Sequence, residues 1–279
     1  MKNLSLGRYI PNDTFIHRLD PRTKILAMIF LLVIVFMEIG FLGYFILGIF
    51  LLILLKVTKV SFRTLFRLIK NMWFMFLFLF IINILSFQRG NVLLDLEFFK
   101  IYDSGIYQTL YIIIRLVIMI TITTILTTST KPLDMTYGLE YLMTPLKIIK
   151  FPTHEIAMII SIALRFIPTL LDETERIMKA QASRGSILSE GKLKDKIPAI
   201  ISLIIPLFFS AFKRSDELAD AMEARGYDPS AKRTRYRVLK FTSSDWLSLS
   251  LIVVITAGFV YLSFNKEMIE SLLGIDLWR

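Results

Sequence analysis

The sequence predicts an all-α, polytopic membrane protein, with about five transmembrane helices and long cytoplasmic helices attached to them. Three observations predict it. Apolar residues make up 55% of the 279-residue chain and its mean hydropathy is +0.62, above the roughly 45–50% apolar content of soluble domains. They come in blocks about as long as the ~17–25 residues that cross a hydrocarbon core, rather than as amphipathic stripes. The charge, +10 overall, is dealt unevenly among the segments between blocks, as the positive-inside rule describes.

The blocks justify themselves in order. Residues 1–24 are polar and include Arg8, Arg18, Arg22 and Lys24 against Asp13 and Asp20. They have no apolar h-region after a basic start, so no cleavable signal peptide is expected. Residues 25–55 are almost wholly apolar but interrupted at Glu38-Ile39-Gly40. This reads as two short spans joined by a tight turn, with Glu38 at the interface; one long tilted helix is the alternative. Residues 56–70 carry five Lys or Arg and no acid. Val60, Leu65, Leu68 and Ile69 fall near helical spacing, as in an interfacial amphipathic helix.

Residues 71–87 form the third span, and 88–105 a near-neutral segment expected outside. Residues 106–128 form the fourth span, ending in a Thr-rich run whose hydroxyls can bond to helix carbonyls. Arg115 inside this span has two readings: a side chain snorkelling or paired with an acid, or a polar contact between helices. Residues 245–264 are a clean fifth span. With 18 Lys or Arg against 13 Asp or Glu, residues 131–240 are expected inside. The alternation places the N-terminus inside and the C-terminus outside. Three regions follow: 1–128 with four spans, 129–240 as a cytoplasmic coupling-helix domain, and 241–279 with the last span and tail.

The cytoplasmic block carries an internal pattern. Pro132 and Pro152 mark helix starts. Helices are expected over 133–147, with a break at Thr144-Pro145, over 153–184 and over 195–225. The last two share an Ile-Pro pair (Ile167-Pro168, Ile205-Pro206), expected to kink them, and an acidic run. They end alike, in Ala182-Ser183-Arg184-Gly185 and Glu223-Ala224-Arg225-Gly226. Gly at the position after a helix takes the left-handed conformation that stops it. Arg in the last turn faces the negative end of the dipole, and small residues beside it let a partner approach closely. Such a tip suits a groove lined with carboxylates.

Here the sequence resembles a family. The paired ends Ser183-Arg184-Gly185 and Ala224-Arg225-Gly226 are similar to the paired Ala-Arg-Gly signatures of the T components of energy-coupling factor transporters. So are Asp20-Pro21-Arg22-Thr23-Lys24 before the first span, Leu164-Arg165-Phe166-Ile167-Pro168, and residues 221–227. Ser183 stands where Ala is usual. The resemblance covers about residues 8–264. It implies the multi-pass transmembrane scaffold of a prokaryotic ABC-type importer for vitamins or metal ions, in the cytoplasmic membrane. Its partners would be two cytoplasmic ABC-type ATPase subunits and a substrate-capturing S component, the bilayer being its solvent. Arg184 and Arg225 would contact acidic residues in the ATPase grooves, and the chain itself would perform no chemistry.

The residues agree with that absence of chemistry. There is no Cys, which excludes disulfides, thiolate metal sites and a Cys nucleophile. No Gly-x-x-x-x-Gly-Lys is present for ATP. His17 and His154 are too few for a metal site by themselves. A prenyltransferase would need paired Asp-rich motifs for Mg²⁺, whereas Asp172-Glu173-Thr174-Glu175 is a single cluster. No cofactor is expected, and the basic balance reads as membrane charge bias, with no nucleic acid partner. The surface Met72-Trp73-Phe74-Met75-Phe76 fits an adaptable apolar interface with an S component or lipid alone; both readings stay open.

Overall fold

Gly40 is what divides the first apolar block. It opens its helix at φ 64°, a conformation glycine takes without steric cost. In the computed structural model, which describes residues 9–37, 39–86, 92–96, 99–184, 193–228 and 239–265, the block is two helices, as expected. A short α1 (Phe15–Arg18) leads into α2 (Pro21–Phe36), and α3 (Gly40–Thr58) follows. Glu38 lies outside the described residues. The basic segment forms α4 (Phe62–Asn71), and Met72 separates it from α5 (Trp73–Ser86) at a bend of 52°.

After α5 comes an antiparallel pair, β1 (Val92–Leu96) and β2 (Phe99–Tyr102), with Leu96 opposite Phe99. The sequence did not announce this hairpin. The rest is helical: α6 (Asp103–Ser129), α7 (Pro132–Leu142), a 3₁₀ turn (Thr144–Ile149), α8 (Thr153–Ser183), α9 (Leu193–Ala224) and α10 (Ser243–Phe264). Among the described residues the fold is therefore all-α apart from one two-stranded ribbon.

Two compact units emerge. The first holds Met1–Tyr141 and Leu239–Arg279; the second is Leu142–Val238. In the first unit α6 is central: α2, α3, α4 and α5 pack against it, and α10 packs on α2. α3 buries Tyr44, Leu47, Leu51, Leu55 and Thr58, the three- and four-residue spacing of one helix face. These meet Ile34, Val35, Ile118, Ile122 and Phe259 in the core. The outer faces of the same helices leave Phe45, Ile53, Phe74 and Val254 exposed, which in water would be untenable and in lipid is ordinary.

Among the described helices α3, α6, α10 and also α8, which the sequence predicts on the cytoplasmic side, are by length and composition long and apolar enough to cross a membrane, and the bent α4–α5 pair would be a fifth if it forms one span. The 16 residues of α2 reach about 24 Å at 1.5 Å per residue. That is short of a ~30 Å hydrocarbon core. The chain is thus a multi-pass membrane protein.

The threonines of α6 do what a membrane helix requires of them. Thr121, Thr124 and Thr128 donate to the carbonyls of Val117, Ile120 and Thr124 at 2.6–2.7 Å. Arg115 makes a polar contact between helices. Its Nε donates to the Tyr44 hydroxyl at 2.7 Å, and that hydroxyl donates to the Val35 carbonyl at 3.0 Å. Its guanidinium also lies 5.1 Å from the Tyr111 ring centre. Tyr44→Phe removes a buried oxygen that links α2, α3 and α6. A hydrogen bond to a charged group is worth about 1.5–3 kcal/mol, so the variant should be less stable in detergent by about that free energy and unfold at a lower temperature. An unchanged thermal transition would mean that headgroups or water replace Tyr44.

Candidate coupling helices and their anchor

Helices α8 and α9 make up most of the second unit. α8 begins at Thr153 after Pro152 and includes Pro168; α9 includes Pro198 and Pro206. Each proline removes one rung from the helix ladder. Their start and end points match the sequence expectation within two residues.

Where they meet, the two helices run in opposite directions. Arg214 Nη2 on α9 donates to Glu173 Oε2 on α8 at 2.7 Å. Further along, the hydroxyl of Tyr227 donates to the sulfur of Met158 at 3.4 Å. Glu173 and Arg214 are 41 residues apart, the same spacing that separates the two Arg motifs. The ion pair therefore joins equivalent positions of the internal pattern. Arg184 lies eleven residues beyond Glu173, and Arg225 eleven beyond Arg214, or about 16 Å of helix each. The two tips point away from the crossing with equal reach.

Both tips are open to a partner. Ser183, Arg184, Ala224, Arg225 and Gly226 are exposed. Arg184 is the residue that caps α8, its N–H donating to the Gln181 carbonyl. At α9 the ending is a full Schellman arrangement: Gly226 N–H donates to Glu223 O at 2.8 Å and Tyr227 N–H to Met222 O at 3.0 Å. Gly226 has φ +71°, the left-handed stop the sequence predicts. Gly185 lies outside the described residues. Gly226→Val should cost about 1–2 kcal/mol through its Cβ. Hydrogen exchange at Met222–Ala224 should accelerate accordingly while the rest of α9 stays protected. Unchanged protection would show that the stop does not depend on glycine.

Between the tips, α9 carries an apolar face that this chain leaves bare. Ile201, Ile204, Ile205, Phe208, Phe209 and Phe212 are 48–68% exposed.

The first unit contains a polar node at the point where the chain departs into residues 142–238 and where it returns. Pro21 opens α2, and Asp20 caps it by accepting from Arg22 N at 2.9 Å. Asp245 caps α10. One of its oxygens accepts from Thr242 N and the other from Asp20 N, both at 2.8 Å, so one buried carboxylate faces two helix N-termini. Arg22 completes the node. Its Nη2 donates to Leu239 O at 2.6 Å, its Nε lies 3.3 Å from Asp20, and its guanidinium sits 3.9 Å from the Tyr141 ring centre and 4.8 Å from that of Phe241. Lys24 Nζ donates to the carbonyls of His17 and Ser129 at 3.1 Å. Asp20, Arg22, Lys24 and Asp245 are all at most 7% exposed. Tyr141 and Leu239 are the residues at which the chain leaves and rejoins the first unit, and Arg22 holds both.

Comparison with known proteins now decides the family. The family model described as "Cobalt transport protein" matches residues 12–236. The chain is 42% identical over 262 residues to the energy-coupling factor transporter transmembrane protein EcfT of Bacillus subtilis, covering 94% of this chain and 99% of the relative. It is 43% identical over 256 residues to that of Lactococcus lactis, covering 92% and 96%, and 41% identical over 266 residues to that of Staphylococcus aureus, covering 95% and 99%. The chain belongs to the energy-coupling factor T-component family. It is a transmembrane component of an energy-coupling factor transporter.

Within that family frame, the site residues sort into two sets. The candidate Arg tips are visible in the sequence, because a repeated helix ending is a local signal. The anchor is not: in the sequence Asp20-Pro21-Arg22-Thr23-Lys24 stands out only as a resemblance, and Asp245 only as the edge of a span. Two signals could have found it. Thr242-x-x-Asp245 before an apolar run is a capping pattern, and Asp followed by Pro marks a helix start.

Proposed function

We propose that this chain is the transmembrane scaffold that couples ATP hydrolysis by two cytoplasmic ABC-type ATPase subunits to the movement of a substrate-binding S component, for vitamin or metal-ion uptake. The observation that carries the reading is the pair of exposed arginine-capped tips, Ser183-Arg184 and Ala224-Arg225-Gly226, on antiparallel helices joined at equivalent positions. Two like tips with equal reach suit two like grooves. An exposed guanidinium at a helix end offers bidentate hydrogen bonds to a carboxylate. Residues 129–240 form the coupling region on the cytoplasmic side, between the N-terminal membrane region (1–128) and a last span (241–279). Pro168 and Pro206 bend the two helices so that they lie along the membrane underside. The bare apolar face of α9 and the Phe- and Met-rich start of α5 receive the S component. The chain contributes no catalytic group; hydrolysis belongs to its partners.

The N-terminus and residues 129–240 lie inside. The support is charge: five Lys or Arg and no acid in residues 56–70, against a near-neutral 88–105. Labelling tests the orientation cleanly because the chain has no Cys. An Asp95→Cys variant should react with a membrane-impermeant maleimide in intact cells, and reaction only after permeabilisation would invert the topology.

The reading as a whole is tested by what leaves the membrane with the chain. Mild detergent extraction should bring two ATPase subunits and a small S component in stable association. Recovery of the intact chain without ATPases, under conditions that preserve other ABC importers, would overturn it.

A further inference from the structure

The first unit has a cavity of about 310 Å³, open on one side, among α1, α2, α3, α6 and α10. Its wall is hydrocarbon, from residues such as Ala27, Met28, Leu54, Val57, Ile122 and Leu251. Few polar side chains reach it. Of these, the Lys24 ammonium is turned to the carbonyls of His17 and Ser129. A wall of this kind offers an ordered water almost none of the two to four polar partners it needs. The outer rim consists of Phe15, Ile53, Val57 and Leu251, which are 41–54% exposed. Since the walls are faces of membrane helices, what stands outside that rim is lipid.

Size and charge narrow the occupant. The volume is about twice that of an engineered apolar cavity of ~150 Å³ that takes benzene. That suits one hydrocarbon chain and excludes a helix about 10–12 Å across. Lys56 stands one residue before Val57 and three after Ile53, next to the rim on α3. Lys59 caps the same helix, and Arg63, Arg67 and Lys70 follow on α4. On α1, Arg18 is already held by both oxygens of Asp13, at 2.6 and 2.7 Å, and the neighbouring Asn12 reaches the Lys59 carbonyl at 3.5 Å. Arg18 takes both Asp13 oxygens, so Lys56 and Lys59 at the end of α3 carry the positive charge left for a headgroup.

We propose that this cavity is an anionic phospholipid site: one acyl chain lies among α2, α3, α6 and α10, and the headgroup phosphate is held at Lys56 and Lys59. The site depends only on the chain's residence in a bilayer. It stands or falls separately from the coupling role of the arginine tips.

Photoactivatable phosphatidylglycerol and phosphatidylcholine, each with a diazirine on one acyl chain, would be compared in vesicles holding the purified full-length chain. With phosphatidylglycerol, adducts should concentrate on Met28, Leu54 and Leu251, well above the lipid-facing Phe45 and Val254. Ala27→Phe, which fills the cavity, should abolish that concentration. The Lys56→Gln/Lys59→Gln pair leaves the cavity intact. It should keep cavity adducts with either lipid but lose the anionic preference, roughly fivefold for each lysine. Adducts spread evenly over all lipid-facing residues, or an anionic preference unchanged in the lysine pair, would overturn the proposal. So would exclusion of both probes by a co-purified protein segment.

Discussion

Arg22→Ala will loosen the points at which the chain leaves the first unit at Tyr141 and rejoins it at Leu239. Arg22 is 5% exposed and makes three kinds of contact: the ion pair with Asp20, the hydrogen bond to Leu239 O, and the aromatic faces of Tyr141 and Phe241. Removing one member of a buried charge pair typically costs about 3–5 kcal/mol, because the other is left stranded. The loss should fall on the residues it ties together rather than evenly. Proteolysis near residues 141 and 239 should accelerate sharply, while the core of α2, α3 and α6 stays protected. Asp245→Asn should give a smaller loss, since an amide oxygen can still accept from one of the two helix N-termini. Wild-type protease resistance in Arg22→Ala would show that packing, not the node, holds the return segment.

The largest functional effect should come from Arg184→Glu with Arg225→Glu. As free helix caps these side chains would each be worth about 0–1 kcal/mol. Seated in a carboxylate-lined groove, each would be desolvated and paired, and its removal would cost about 3–5 kcal/mol. A Glu would add repulsion as well. The double variant should insert normally, lose its ATPases on extraction and abolish uptake. Each single variant should weaken the complex. Arg→Lys should be milder but measurable, because Lys retains charge and loses the bidentate geometry. Since both tips lie about 16 Å from the Glu173–Arg214 crossing, the singles should differ only as far as the two partner grooves differ.

Much of this architecture was legible in the sequence, for local reasons. Pro152 starts α8, and Gly226 stops α9 in a left-handed turn. The interruption at 38–40 separates α2 from α3. The Thr-rich run bonds back along α6 as expected. What was not legible depends on residues far apart in the chain. Asp20 meets Asp245 across 225 positions and Arg22 meets Leu239 across 217. No periodicity within either segment encodes that meeting. Arg115 had no visible partner because the partner is Tyr44, 71 residues away and on a span that reads as uniformly apolar. The β1–β2 hairpin sits where polar and apolar residues show no clean alternation. The match of Glu173 to Arg214 is intermediate: the 41-residue spacing was in view, and only the fold revealed that equivalent positions touch.

The most direct test of the coupling account uses the Cys-free chain as its own background. Ser183→Cys and Ala224→Cys, each carrying a short thiol-linked photocrosslinker, would be irradiated in membranes that hold the assembled transporter. The account predicts adducts from both positions to ATPase subunits, with ATP shifting the sites of attachment. Adducts confined to lipid or to this chain, with the ATPases present and active, would contradict it.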